Sequence, residues 1–291
     1  MQSKNKSLLF VHIAIAMFGS SGLFAKLINQ PSFVIVCGRV FFSFILMFIF
    51  FKIKGISIKL NEKRDYLNVL LMGIVLTVHW LLFYHSIQIT TVAIGLLTFS
   101  TCPIFATFLE PIFFKEEKLT LKNVLVAVVA FLGVAVVVPM SDFNTQLIRG
   151  VVEGILSGLT FALVSILERK NVKQNNTLVI SFYEQIVVFV SLFPVFLLSE
   201  KNPFTAHDII CLIIFGFVFT LISRLLYITG LKEVSAQTAG VLTSLEPIYG
   251  IFFAAILLGE MPSSREILGG IIIICAVLYS SIDSIKQKSK I

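Results

Sequence analysis

Residues 95–116 read GLLTFSTCPIFATFLEPIFFKE, and residues 240–260 read GVLTSLEPIYGIFFAAILLGE. Each carries Gly-x-Leu-Thr, then Pro-Ile, then a glutamate 13 residues after the proline: Gly95, Pro103 and Glu116 in the first, Gly240, Pro247 and Glu260 in the second. The glycine-to-proline distances are 8 and 7, so one residue of slip separates the copies. Tyr84 and Tyr227 stand at comparable places upstream of each copy. Self-similarity of this length points to a chain built from two similar halves.

Around these segments the chain is apolar almost end to end. Of 291 residues, 57% are hydrophobic and 13% charged, against about 45–50% and about 25% in ordinary soluble domains. A helix needs about 20 mainly apolar residues to cross a hydrocarbon layer about 30 Å thick. Such stretches fall at 7–28, 32–53, 66–87, 91–114 and 120–139 and, after the polar Ser141 to Arg149, at 150–168, 177–198, 207–229, 235–258 and 265–284. The expected fold is all-α and integral to the membrane, with ten transmembrane helices arranged as two five-helix repeats, residues 1–140 and 149–287. Lys4 and Lys6 ahead of the first run could pass for the start of a signal peptide. The run continues to about Ile28 without a clear small-residue cleavage site, so it is read as a first span.

The formal net charge is +7, but its placement matters more than its size. Of 23 Lys and Arg residues, 17 fall at the connections on the side of the N-terminus and 4 on or near the other side, while Arg39 and Arg224 fall inside spans. That asymmetry predicts an even number of spans with both termini cytoplasmic, as expected in a bacterial cell membrane. It also argues against a nucleic-acid partner, because no basic face is gathered. The four cysteines, Cys37, Cys102, Cys211 and Cys275, lie in apolar segments without metal-ligand spacing and read as core residues. No metal and no cofactor is expected.

Five is an odd number, so the second half would enter the membrane from the opposite side to the first. Inverted repeats are a recurring plan of secondary transporters, in which two halves rock about a site near the midplane. Here the sequence resembles the drug/metabolite transporter superfamily and, within it, the EamA-type permeases. The resemblance is carried by Gly19-Ser20-Ser21-Gly22, by Arg39, by the Pro103 to Glu116 segment and by its counterpart from Leu242 to Glu260. It spans essentially the whole chain, each motif being weak alone and specific in order and spacing. It implies a central cavity lined mainly by spans one, three, four, six, eight and nine, and export of amino acids or related metabolites. One departure is Cys102, which stands where the second copy has Glu246.

An ionised side chain deep in a span costs about 2.5–3.5 kcal/mol on insertion scales and should face a cavity or a partner. Arg39, Glu184, Arg224 and Glu246 qualify by depth. Arg39 and Glu184 each lie seven residues into their spans, which suggests either an ion pair or the two ends of a polar cavity. Glu246 precedes Pro247, and a mid-span proline frees a backbone carbonyl; Pro103 gives the fourth span a similar kink without the charge. Arg224 and Tyr227 share a helix face, where the guanidinium suits a substrate carboxylate. His79, Trp80 and Tyr84 form an aromatic and titratable cluster with His85, although Tyr84 and His85 also suit an interfacial aromatic belt. Each of these residues has a structural role as its alternative. Glu116, Glu168, Arg169 and Glu260 sit at span ends and read as solvated, and the small residues Gly154, Ser157, Gly158 and Ala162 read as a packing face of span six.

No HExxH, GxSxG, P-loop or dinucleotide fingerprint is present, which argues against an enzyme and removes direct ATP drive. The expected function is secondary transport of a small polar metabolite, with amino acids and their derivatives leading, and a passive channel or a non-transport membrane role as alternatives. Proton coupling through Glu184, Glu246 and His79 is an expectation of the same kind, and a monomer and a homodimer both fit.

Overall fold

In the computed structural model the described residues are 2–114, 119–138, 144–171, 175–231, 234 and 242–288, and no strand occurs among them. An all-helical outcome follows from the solvent, because in hydrocarbon every backbone N–H and C=O must find its partner within the segment. Helices α1 (Gln2–Ser21) and α2 (Phe24–Leu27) lead to α3 (Ser32–Lys54), α4 (Lys63–Ile89), α5 (Val92–Phe99), α6 (Cys102–Phe113) and α7 (Leu121–Val137). After the polar connection come α8 (Thr145–Asn171), α9 (Thr177–Leu198), α10 (Ala206–Ile214), a π-helical segment (Phe215–Ile222), α11 (Ser223–Gly230), α12 (Glu246–Leu257) and α13 (Ser264–Lys288).

Seven described stretches are long and apolar enough to cross a membrane: Asn5–Leu27, Ser32–Lys54, Lys63–Ile89, Val92–Phe113, Thr145–Glu168, Thr177–Leu198 and Ala206–Gly230. Leu121–Val137 and Glu246–Leu257 are shorter apolar helices. Ile53, Leu125, Leu132, Leu198 and Ile256 are all exposed on the outer surface, as lipid-facing positions must be. The chain is a multi-pass helical membrane protein. Several sequence expectations fall outside the described residues: Lys115, Glu116 and Lys118, the linker from Ser141, Lys173, Lys232, and the start of the ninth span with Gly240 and Val241.

At the two prolines the break is sharper than a kink. Helix α5 stops at Phe99 and α6 restarts at Cys102 with Pro103 in its first turn, and α12 starts at Glu246 with Pro247 in its first turn. Proline has no N–H to donate, and the first turn of a helix is where that N–H has no partner anyway. A terminus forms there in place of a bent continuous helix.

The small-residue face of α8 is a packing face. A Cβ on Gly154 would overlap Thr98 Oγ1, and one on Gly158 would come 2.9 Å from Thr101 Oγ1 and 3.0 Å from the Phe99 carbonyl. The glycines therefore let α8 press against the α5–α6 break. Gly19 and Gly250 do the same for α1 and α12: a Cβ on Gly250 would lie 2.7 Å from the Gly19 carbonyl oxygen.

Helices α3 and α9 run antiparallel. Gln30, just before α3, donates to the Asn202 carbonyl just after α9 at 2.9 Å, while Asn61, after α3, donates its N–H to Asn175, before α9, at 3.0 Å. Arg39 and Glu184 are thus each seven residues in from opposite ends. At 1.5 Å per residue their Cα atoms are separated by about 12 Å along the axis. Both line one cavity, and no ion pair joins them among the described residues.

Candidate functional site

Between the helices lies a cavity of about 510 Å³. Ten of the eleven residues singled out above by depth, by proline or by aromatic clustering line it: Arg39, His79, Trp80, Tyr84 and Pro103 from the first half, and Glu184, Arg224, Tyr227, Glu246 and Pro247 from the second; His85 is not among its lining residues. The spans expected to line it do so, and α3, α9 and α13 add to them through Arg39, Glu184 and Val277.

At one end Arg39 is held on every side. Its Nη1 donates to the Tyr84 hydroxyl at 2.5 Å and its Nη2 to Thr220 Oγ1 at 3.0 Å. Trp80 and Phe215 cover the guanidinium from 4.4 and 4.3 Å. The π-helical segment builds half of this seat: Thr220 Oγ1 donates back to the Phe215 carbonyl at 3.0 Å, and Gly216 lets the segment approach, since a Cβ there would lie 2.6 Å from the Arg39 carbonyl. π-helical turns recur at functional sites because they shift side chains out of α register. Tyr84 is 1% exposed and lies 3.4 Å from Ser21 Oγ, so it belongs to the interior and not to an interfacial belt. The cation is buried with no carboxylate within ion-pair distance among the described residues, and its Nε has no partner.

The other end holds two of the three carboxyls, Glu168 and Glu184. Glu168 accepts from Arg224 Nη2 at 3.0 Å. The expectation that Glu168 is merely solvated at a span end is corrected: it lines the cavity and pairs with a guanidinium. Glu184 lies within Coulombic reach of both, yet it is only 3% exposed and its Oε1 has no hydrogen-bond partner. Glu246 opens α12 and faces the cavity beside Pro247. His79 Nδ1 donates to the Ser157 carbonyl at 2.9 Å, and the ring sits among Phe83, Phe99 and Phe161 at centroid distances of 5.9, 5.5 and 4.8 Å.

Beyond the Arg39 end the two halves are laced together. Asn29 N–H donates to Asp208 at 3.0 Å, Thr91 Oγ1 to Glu266 at 2.8 Å, and Val92 N–H to Glu260 at 2.9 Å, with Lys26 Nζ 3.8 Å from Glu260. Glu260 is therefore a bridging residue, where its position at a span end suggested a solvated one. The nearby His85 pairs with Glu153 at 2.5 Å, and Arg149 joins the same carboxylate at 2.8 Å.

The sequence pattern of a family described as "EamA-like transporter family" matches this chain twice, over residues 5–138 and 148–282. Curated relatives include an "Uncharacterized transporter YxxF" of Bacillus subtilis, 25% identical over 279 residues that cover 94% of this chain and 89% of the relative. An "S-adenosylmethionine uptake transporter" of Rickettsia bellii is 26% identical over 261 residues, covering 89% and 87%. An "Uncharacterized transporter" of Archaeoglobus fulgidus is 22% identical, covering 92% and 93%. A solved chain described only as the crystal structure of a protein superposes with a TM-score of 0.66 at 12% identity over 98% of both chains, which shows a shared fold.

Proposed function

We propose that this chain, which belongs to the EamA-like transporter family, is a secondary transporter that carries a small polar metabolite through the cavity between its halves. One observation carries the proposal: buried charged side chains that each keep an atom without a hydrogen-bond partner, Arg39 Nε and Glu184 Oε1, stand at opposite ends of one cavity whose walls come from both family-matched halves. Unpaired polar groups in a membrane interior are costly, and a passing polar solute compensates them.

The lacing beyond Arg39 favours alternating access over an open pore, because a channel has no need to close one end with bonds between its halves. Ten spans in two inverted repeats, residues 1–140 and 149–287, with both termini cytoplasmic in a bacterial cell membrane, belong to the same proposal. The double family match and the antiparallel pairing of α3 with α9 support it. Either a monomer or a homodimer could work.

Amino acids and their derivatives remain the leading substrates, and the names of the rickettsial relatives place S-adenosylmethionine, itself an amino-acid derivative, among the first to try. Family resemblance implies export, whereas those relatives are named for uptake, so flux in both directions is to be measured. Proton coupling would run through Glu184, Glu246 and His79. The test is counterflow in proteoliposomes with labelled amino acids and S-adenosylmethionine. Saturable exchange in wild type that is lost in correctly inserted Arg39→Ala and Glu184→Gln is expected. Flux that never saturates, or none across the panel from folded protein, would reject the proposal.

A further inference from the structure

The two guanidiniums on the cavity wall differ in how fully they are occupied. Arg39 uses both terminal nitrogens on Tyr84 and Thr220 and is covered by the rings of Trp80 and Phe215. Arg224 has the same five N–H donors, and among the described residues it makes one side-chain bond, from Nη2 to Glu168 Oε1 at 3.0 Å. Its Nε is buried without an acceptor. Glu184 has the complementary defect, for the residue is 3% exposed and its Oε1 is buried without a donor.

These two incomplete groups belong to one place. Arg224 and Glu184 lie within Coulombic reach of each other, and both line the cavity. No ion pair joins them, because the contact of Arg224 is with Glu168. Three helices fix this arrangement: Glu168 is three residues from the end of α8, Glu184 lies in the first half of α9, and Arg224 is the second residue of α11. Glu168 thus holds the guanidinium in place, and a donor without an acceptor is left close to an acceptor without a donor.

We infer that this is the head-group site of an α-amino acid: the substrate's ammonium sits at Glu184, its carboxylate at the free Nε of Arg224, and its side chain extends along the aromatic wall of the cavity. A guanidinium and a carboxylate make a charge-assisted pair, as do a carboxylate and an ammonium. An α-amino acid holds its two charges on neighbouring atoms, so one small group satisfies both defects together. A plain amine or a plain carboxylic acid satisfies one and leaves the other buried and unpaired, and a site built in this way rejects such analogues strongly. The pairing needs no excess charge at the site, since a proton resting on Glu184 in the empty cavity leaves as the ammonium arrives. Beyond the head group Phe83, Phe99, Phe161 and Phe219 line the wall, and a cavity of about 510 Å³ falls in the ordinary range for a metabolite site. This inference rests on the transport proposal and deepens it by giving each charge of the substrate a named partner.

Analogues that lack one charge at a time test it. Counterflow of labelled leucine, methionine, phenylalanine and S-adenosylmethionine first identifies a transported compound. The three amino acids, with their deaminated and decarboxylated forms, then compete against that flux. The proteins are wild type, Glu184→Gln, Glu184→Asp and Arg224→Lys, all shown to be monodisperse and inserted; the lysine keeps a cation for Glu168 but has no Nε–H. In wild type each analogue should compete at least tenfold more weakly than its parent, corresponding to about 1.4 kcal/mol. Glu184→Gln should shrink the penalty for deamination severalfold and leave that for decarboxylation, Arg224→Lys should do the reverse, and Glu184→Asp should keep both. Analogues that compete as well as their parents in wild type overturn the assignment and leave transport standing. So do variants that weaken parent and analogues by one common factor, as a purely structural defect does. Absence of counterflow for all four labelled compounds from folded protein overturns the transport proposal and this inference with it.

Discussion

Glu168→Gln removes the partner of Arg224, and the size of the effect follows from the contact. Nη2 and Oε1 lie 3.0 Å apart with side chains 24% and 26% exposed. At that distance two unit charges attract by about 1.4 kcal/mol in water and about 5.5 kcal/mol at an effective dielectric constant of 20. Desolvation offsets part of this, so exposed pairs contribute about 0–1 kcal/mol while breaking a buried pair costs about 3–5 kcal/mol. A pair one-quarter exposed belongs between, and a coupling of about 2 kcal/mol is expected. Each single variant, Glu168→Gln or Arg224→Met, should lower the thermal midpoint of the purified protein by about 5 °C. The double variant should be little worse than either, because the second substitution removes a charge already orphaned. Thermal unfolding of all four proteins gives the coupling directly as a double-mutant cycle. Single effects that simply add, within about 0.5 kcal/mol, would refute the claim that Glu168 is tied to Arg224 and return it to the solvated role its position suggests.

Gly154→Ala should lower the thermal midpoint, since its Cβ would overlap Thr98 Oγ1 and overpacking costs about 1–3 kcal/mol; adding Thr98→Ala should recover part of the loss. Arg39→Lys keeps the charge but cannot reach Tyr84 and Thr220 as a planar fork while stacked between Trp80 and Phe215. Counterflow by this variant should fall about tenfold, from about 1–2 kcal/mol of lost contacts, and wild-type flux would contradict the role given to that geometry. Glu260→Gln loosens the bridge to Lys26 and the Val92 N–H. Labelling of a cysteine placed at Ser21, on the cavity wall, by a membrane-impermeant maleimide added from the Lys26 side should then rise about fivefold, for about 1 kcal/mol removed from the closed state. Unchanged labelling would mean that the bridge does not hold this end shut.

Much of the helical layout was legible because the bilayer writes it into composition: α3 and α9 begin at Ser32 and Thr177, where the apolar runs begin. The residues of the cavity wall were found by cost, since Arg39, Glu184, Arg224 and Glu246 are too deep to leave in lipid. Depth says nothing about pairing, however. Arg39 and Glu184 occupy equivalent places, but antiparallel packing puts them at opposite ends of the cavity, and a direct pair was one of two readings until the packing was known. Glu168 was missed because cavity depth is a tertiary property: its wall reaches the end of α8, where a sequence scan sees only a cheap interfacial charge. Thr220 was missed too, for the π-helical segment FGFVFTLI carries no proline, and its only local sign is Gly216. Pro103 and Pro247 flagged the breaks, yet their place in a first turn, and not mid-helix, depended on where the following helix started.

Cys102 offers the most direct test of the central claim, because it lines the cavity while Cys37, Cys211 and Cys275 do not. With those three replaced, maleimide labelling of Cys102 in proteoliposomes is followed against increasing concentrations of whichever substrate supports counterflow. If the cavity is the translocation path, substrate protects Cys102 with the same half-maximal concentration that half-saturates flux. Saturable flux with Cys102 labelling unaffected by substrate would place the path elsewhere and contradict the account.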